Sequence, residues 1–174
     1  MFSDWDNFYL IIGSGGGALI GVMFVVTTLT AGLEESRASR GALIYITPIV
    51  FHFAIVLVVS AIAVTPGLQV EAVGVLIAIC ALLGLLYAVV TAIRVFTIKI
   101  DNAPDWEDKI FYGIIPVIAY FLLACAAAAI WLAPMRAALF IGAVMLFLLL
   151  IGIRNAWDLA TFLVARRPGS SEHP

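Results

Sequence analysis

A single histidine near the middle of a long apolar stretch is the residue best suited to chemistry in this chain. His52 lies in TPIVFHFAIV, four residues after Pro48. Proline has no backbone N–H and crowds the carbonyl four residues earlier, so a kinked helix with a free acceptor is predicted. Tyr45 and Ser60 share with His52 an arc of about 120° on that helix, which is predicted to face protein or water.

Three interpretations of His52 stay open. It could be a neutral imidazole hydrogen-bonded to a neighbouring helix, or a proton-relay or pore-lining group, because ionisable residues inside a membrane are costly and often functional. It could also be an axial ligand of haem or a pigment, although no second ligand or supporting motif accompanies it.

A second polar stripe follows on the next apolar segment. Its members fall within about 80° of one another on a helical wheel. They are Cys80, Gly84, Tyr87, Thr91 and Arg94. The stripe predicts either one wall of a hydrated path or a buried seam that ends in an arginine reaching the membrane surface.

A charge pair is predicted near the end of the last apolar segment, in IGIRNAWDLATFLVARR. Arg154 and Asp158 are four residues apart and can pair on one helix face. The pair could tie the helix end to a neighbour. If it lies inside the bilayer, Arg154 facing Tyr87, Thr91 or Arg94 would form an inner vestibule with anion affinity. The segment could instead leave the membrane at Ile153 and continue as an amphipathic surface helix.

No metal site, cofactor or catalytic group is predicted. The two cysteines, Cys80 and Cys125, lie inside apolar segments with no Cys/His spacing typical of zinc, and both are expected to be reduced. The acidic stretch DNAPDWEDK lacks the alternating acids and glycine of a calcium loop. Its acids and Pro104 are typical of a helix start. Because no metal site, cofactor or catalytic group is predicted, the chain is not expected to be an enzyme.

The elements that position these groups are predicted from composition. Of 174 residues, 64% are hydrophobic and 11% charged, which excludes an ordinary soluble domain and nucleic-acid binding. Five stretches are long enough to cross a bilayer, at residues 7–31, 42–64, 70–94, 109–132 and 137–163. The predicted fold is all-α: a single five-helix transmembrane bundle over residues 1–167, with a short polar tail at 168–174.

Orientation is predicted from the basic residues of the connections. Arg37, Arg40, Lys99, Arg166 and Arg167 all belong to connections on one side. Positive charge is typical of cytoplasmic loops, which puts the N-terminus outside and the C-terminus inside. The expected location is a bacterial inner membrane.

The glycine run GSGGGALIG fits the dinucleotide-binding pattern, but a strand–turn–helix unit has no room inside an uninterrupted apolar segment. As a helix it aligns Gly13, Gly17 and Gly21 at every fourth residue, a glycine zipper that permits close helix packing. Gly84 and Ala88 provide a similar surface on the third segment. The partner could belong to the same chain, an identical copy or another protein.

Three functions are compatible with these patterns. The first is a homo-oligomeric channel or transporter for an ion or small solute. The second is an accessory or assembly subunit of a larger membrane complex, in which the small-residue surfaces bind other chains. The third is an intramembrane cofactor carrier or enzyme, for which His52 would be the cofactor-binding candidate.

Overall fold

The part of the chain that the structure describes folds into five long antiparallel helices. The computed structural model describes residues 5–30, 37–97 and 106–165, and the side-chain surroundings of residues 5–28, 45–97 and 106–161. The helices are α1 (Asp6–Thr30), α2 (Arg37–Val64), α3 (Val70–Thr97), α4 (Trp106–Trp131) and α5 (Pro134–Ala165).

All five helices are long and apolar enough to cross a membrane. The prediction of an all-helical chain with five candidate spans is therefore confirmed. The helix bounds differ from the predicted ones by a few residues, most at α2, which begins at Arg37 where residue 42 was predicted. The predicted tail at 168–174 lies outside the described residues, as do Lys99, Arg166 and Arg167.

Four of the helices form a ring, and the fifth packs against its side. Extensive backbone contacts join α2 to α3, α3 to α4, α4 to α5 and α5 to α2. Helices α2 and α4 are therefore diagonal neighbours whose side chains meet across the interior. Helix α1 packs mainly on α2 and also contacts α5, and it is the least buried of the five.

Short turns at one end of the bundle, here called the turn end, connect α2 to α3 and α4 to α5. Gly67 adopts a φ of 73° in the first of them, a left-handed conformation that favours glycine. Pro134 opens α5, where a missing N–H costs nothing. The opposite end, where α4 begins and α5 ends, is called the C-terminal end.

Helix α4 is irregular near the C-terminal end. Residues Lys109–Ile114 form a π-helical turn, and the N–H of Ile115 bonds the carbonyl of Ile110. Pro116 follows directly and has no N–H. Neither residue can therefore donate to the Phe111 carbonyl, which needs a partner from outside α4.

Aromatic rings packed on glycines join the helices closely. The contacts pair one aromatic residue with one glycine of another helix: Phe8 with Gly142, Phe53 with Gly152, Tyr120 with Gly84 and Trp131 with Gly74. Dispersion contacts of this kind hold membrane helices together, because lipid supplies no hydrophobic drive for their association.

Helix α1 and helix α5 are also joined by a hydrogen bond near the turn end. The hydroxyl of Tyr9 is fully buried and donates to the backbone carbonyl of Ala138 at 2.7 Å. The contact joins the first helix of the chain to the last.

Candidate functional site

His52 and Tyr120 meet inside the four-helix ring. The Nδ1 of His52, on α2, lies 2.9 Å from the hydroxyl of Tyr120, on the diagonal helix α4, and forms a hydrogen bond with it. His52 is only 2% exposed, and Tyr120 is fully buried. His52, a member of the polar arc predicted on α2, thus has a hydrogen-bond partner on another helix.

The Tyr120 hydroxyl is held in place by the helices around it. A Cβ atom at Gly84 would overlap the Tyr120 ring, so the small residue on α3 makes room for it. Phe51 is 6.4 Å from the same ring, centroid to centroid, and meets it edge-on. The geometry of the His52–Tyr120 bond therefore depends on α2, α3 and α4 together.

The polar stripe on α3 continues from this bond toward the C-terminal end. Tyr87 is half-buried and stacks on Phe51 with a centroid distance of 4.1 Å. Thr91 is buried one turn later beside the Tyr87 hydroxyl, and Arg94 is exposed. The predicted stripe therefore starts in the bundle interior and reaches the bundle surface at Arg94.

The remaining members of the α2 arc have different surroundings. Tyr45 is half-buried, and its ring meets Tyr112 of α4 edge-on at 4.9 Å. Ser60 is buried against Gly13 of α1, and its hydroxyl has no hydrogen-bond partner among the described residues. Tyr45 and His52 thus face α4, whereas Ser60 faces α1.

Arg154 forms its ion pair with α4 and not with Asp158. Its guanidinium lies 3.3 Å from the carboxylate of Glu107 and 3.4 Å from the centre of the Phe111 ring. Asp158 is exposed. The predicted pair within α5 is corrected here: the packing of α4 on α5 brings Glu107 and an aromatic face to Arg154, and spacing along one helix could not reveal either.

Asn155 is a buried polar residue that sequence reasoning missed. Its side-chain N–H₂ donates to the Phe111 carbonyl at 3.3 Å, and its own backbone carbonyl accepts the Tyr112 hydroxyl at 2.9 Å. We call these two hydrogen bonds the Asn155 clasp. Pro116 was a sequence signal that one carbonyl of α4 lacks a donor, because proline has no N–H. The π turn determines that this carbonyl is that of Phe111, and the π turn cannot be predicted from the sequence.

The glycine run packs on α2 through a slightly different set of positions from the predicted zipper. A Cβ at Gly13 would lie 2.8 Å from Ser60 Cβ, and one at Gly16 would lie 3.0 Å from the Phe53 carbonyl oxygen. Gly17 is only loosely apposed to Leu57, and Gly21 has no atom within 4 Å of an added Cβ. On α3, Gly84 and Ala88 are both buried. The close contact within the chain is thus made by Gly13 and Gly16.

Comparisons with protein families, with curated proteins and with solved structures find no match. Within the described residues no group of three or more His, Cys, Asp or Glu side chains could hold a metal ion. Cys80 and Cys125 are both free thiols. The interpretation of the site therefore depends on its own geometry.

Proposed function

We propose that this chain is a transport protein that moves an ion or small polar solute along the interior of its four-helix ring. The observation that carries the proposal is the His52–Tyr120 hydrogen bond, which crosses the ring between diagonal helices. An imidazole and a phenol inside a membrane span are expensive to keep, and such groups commonly mark ion or proton pathways.

The α3 stripe supports the same proposal. Tyr87 and Thr91 continue the polar surface from the ring interior, and Arg94 ends it at the bundle surface. Pro48 in α2 and the π turn in α4 give the two helices of the His52–Tyr120 bond an irregular point each, where a helix can bend. The proposed pathway thus has polar side chains and adjustable walls.

In the proposed arrangement the N-terminus is outside and the C-terminus inside a bacterial inner membrane, on the basis of the basic residues in the connections.

Copies of the chain associate through the outward face of α1. Because His52 and Thr91 are buried within one chain, each copy has its own pathway, and association stabilises the assembly without creating a shared lumen.

Flux through reconstituted liposomes tests the proposal. Purified protein is incorporated into vesicles, and the fluxes of protons, potassium and chloride are measured separately under an imposed gradient. Tyr120→Phe removes only the hydroxyl that meets His52. We expect it to lower the flux about tenfold, the effect of losing roughly 1.4 kcal/mol of stabilisation.

Tyr9→Phe is the matched control, because it removes another buried hydroxyl, one that bonds Ala138 at the α1–α5 contact. It should keep the wild-type flux. The proposal is refuted if wild-type vesicles conduct none of the three ions above protein-free vesicles, or if the two phenylalanine variants conduct equally.

A second function, an accessory or assembly subunit, is favoured by one observation on α1. Ser14, Ala18 and Gly21 form an exposed strip of small residues, away from the close contact that Gly13 and Gly16 make with α2. Small residues allow another helix to approach closely. Purification from native membranes in a mild detergent distinguishes the two proposals: foreign chains in stoichiometric amounts favour the subunit role, and a single species of this chain favours the transporter.

A further inference from the structure

The π turn of α4 separates two groups of contacts that have to fit at the same time. Before it, Glu107 contacts Arg154, and within it Phe111 lies under the same guanidinium. After it, Tyr120 points into the ring toward His52. A π turn holds one residue more than an α turn over the same stretch, so it changes the angular position of everything beyond it by about 100°.

The π turn has an energetic cost that must be compensated. Ile115 bonds Ile110, Pro116 has no N–H, and the Phe111 carbonyl is left without a donor from its own helix. A carbonyl without a hydrogen bond is costly where water is scarce. The side chain of Asn155 supplies the missing donor at 3.3 Å.

The two hydrogen bonds of the Asn155 clasp fix the π turn of α4 against α5 in orientation as well as in distance. Asn155 donates to α4 through its side chain and accepts from α4 through its backbone, with Tyr112 as the donor. Asn155 is only 1% exposed and Tyr112 only 3%, so the Tyr112–Asn155 bond is shielded from water, and the bond to the Phe111 carbonyl is partly buried. The Arg154 side chain adds a contact on the same turn by lying over Phe111.

We propose that Asn155 is a positioning residue: by holding the π turn of α4 it sets the rotation that brings the Tyr120 hydroxyl onto His52. The role of Asn155 in transport rests on the proposed function, because Asn155 lies outside the proposed pathway and would control it from there. If the turn reverts to α-helix while Glu107 stays on Arg154, Tyr120 rotates away from His52.

The ring nitrogens of His52 provide a readout that a general loss of stability would not imitate. The sequence has two histidines, and replacing His173 by alanine leaves a single one. The ¹⁵N resonances of His52 in the labelled protein then report whether Nδ1 has its hydrogen bond. Tyr120→Phe gives the reference spectrum of the broken bond.

Asn155→Leu and Tyr112→Phe each remove one arm of the clasp, and Met145→Leu is a control of conserved volume at another buried position of α5. We expect the His52 Nδ1 resonance to move toward the Tyr120→Phe position in both clasp variants and to stay unchanged in the control. Should Asn155→Leu fail to fold, Tyr112→Phe carries the test alone.

Two results would overturn the inference. One is a folded clasp variant whose His52 spectrum equals that of the wild type, and the other is a Tyr120→Phe protein with an unchanged spectrum. Liposome flux is measured on the same samples, so the two proposals fail separately. Wild-type protein without flux refutes transport and leaves the spectra valid, whereas unchanged spectra of the clasp variants refute the positioning role and leave transport standing.

Discussion

The Tyr112 hydroxyl donates a hydrogen bond to the backbone carbonyl of Asn155 at 2.9 Å, which links the irregular turn of α4 to the last helix of the chain. Both residues are buried. Because no water is available to either group, the bond contributes to the stability of the bundle and not only to local geometry.

Replacing Tyr112 by phenylalanine should therefore destabilise the protein by about 0.5–1.5 kcal/mol. Thermal unfolding of the purified protein in detergent measures the loss. Thr161→Val is the comparison, since the Thr161 hydroxyl is exposed and bonds only carbonyls of its own helix. Equal unfolding temperatures for the two variants would contradict the stabilising role of the clasp.

Arg154 is expected to stabilise the α4–α5 contact through the ring beneath it more than through its carboxylate partner. Its side chain is 34% exposed and that of Glu107 is 80% exposed, so the ion pair should contribute no more than about 1 kcal/mol. Glu107→Gln should consequently have little effect, whereas the cation–π contact with Phe111 is worth about 1–2 kcal/mol where it is partly shielded from water.

A double-mutant cycle separates these two contributions. Unfolding free energies of Arg154→Gln, Phe111→Leu and the double variant give the coupling of the guanidinium to the ring. A second cycle with Glu107→Gln gives its coupling to the carboxylate. A larger coupling in the second cycle would show that the assignment of stability to Phe111 is wrong.

Substitution by alanine should affect the stability of the chain differently at two glycines of α1. Gly13→Ala introduces a methyl group 2.8 Å from Ser60 Cβ and should cost about 1–3 kcal/mol through overpacking. Gly21→Ala meets no atom within 4 Å and should leave the stability of the single chain unchanged or raise it by up to about 1 kcal/mol through helix propensity.

A larger substitution at Gly21 tests the association of copies through α1. Gly21→Leu should lower the fraction of oligomer in mild detergent, because a large side chain separates helices that pack through glycine. Ile11→Leu, at an exposed large position of the same helix, is the control. An oligomer that tolerates Gly21→Leu would place the contact elsewhere.

Gly84→Ala should disturb the candidate site directly. The added methyl group would overlap the Tyr120 ring, so the ring has to move and its bond to His52 weakens. We expect a stability loss of about 1–3 kcal/mol, which becomes smaller when the ring is absent in a Tyr120→Leu background. An equal loss in both backgrounds would mean that Gly84 acts on another neighbour.

The parts of the fold that composition determines were predictable, and the parts that depend on contacts between helices were not. Long apolar stretches identify the five helices because a bilayer requires about 20 such residues in a row. Helical periodicity also put His52 on an inward face, and the imidazole is indeed buried. Neither argument could name Tyr120 as its partner, because that choice depends on which helices are diagonal in the ring.

Asn155 and Glu107 show that the partners of polar and charged residues on neighbouring helices could not be predicted either. Spacing along α5 suggested Asp158 for Arg154, yet the neighbouring helix supplies Glu107 and Phe111. The role of Asn155 depends on a π turn that moves the unbonded carbonyl to Phe111. Such a turn results from the tertiary contacts on both sides of it, and no local sequence pattern predicts it.

The bond between Tyr9 and Ala138 has a consequence for biosynthesis. Tyr9 belongs to α1, and its acceptor belongs to α5, which is synthesised later, the two residues being 129 positions apart. Until α5 is made, neither the Ala138 carbonyl nor the space at Gly142 that receives the Phe8 ring exists. The packing of α1 is therefore completed only after α5 has been made, and a chain truncated before α5 would leave the α5-facing side of α1 uncovered.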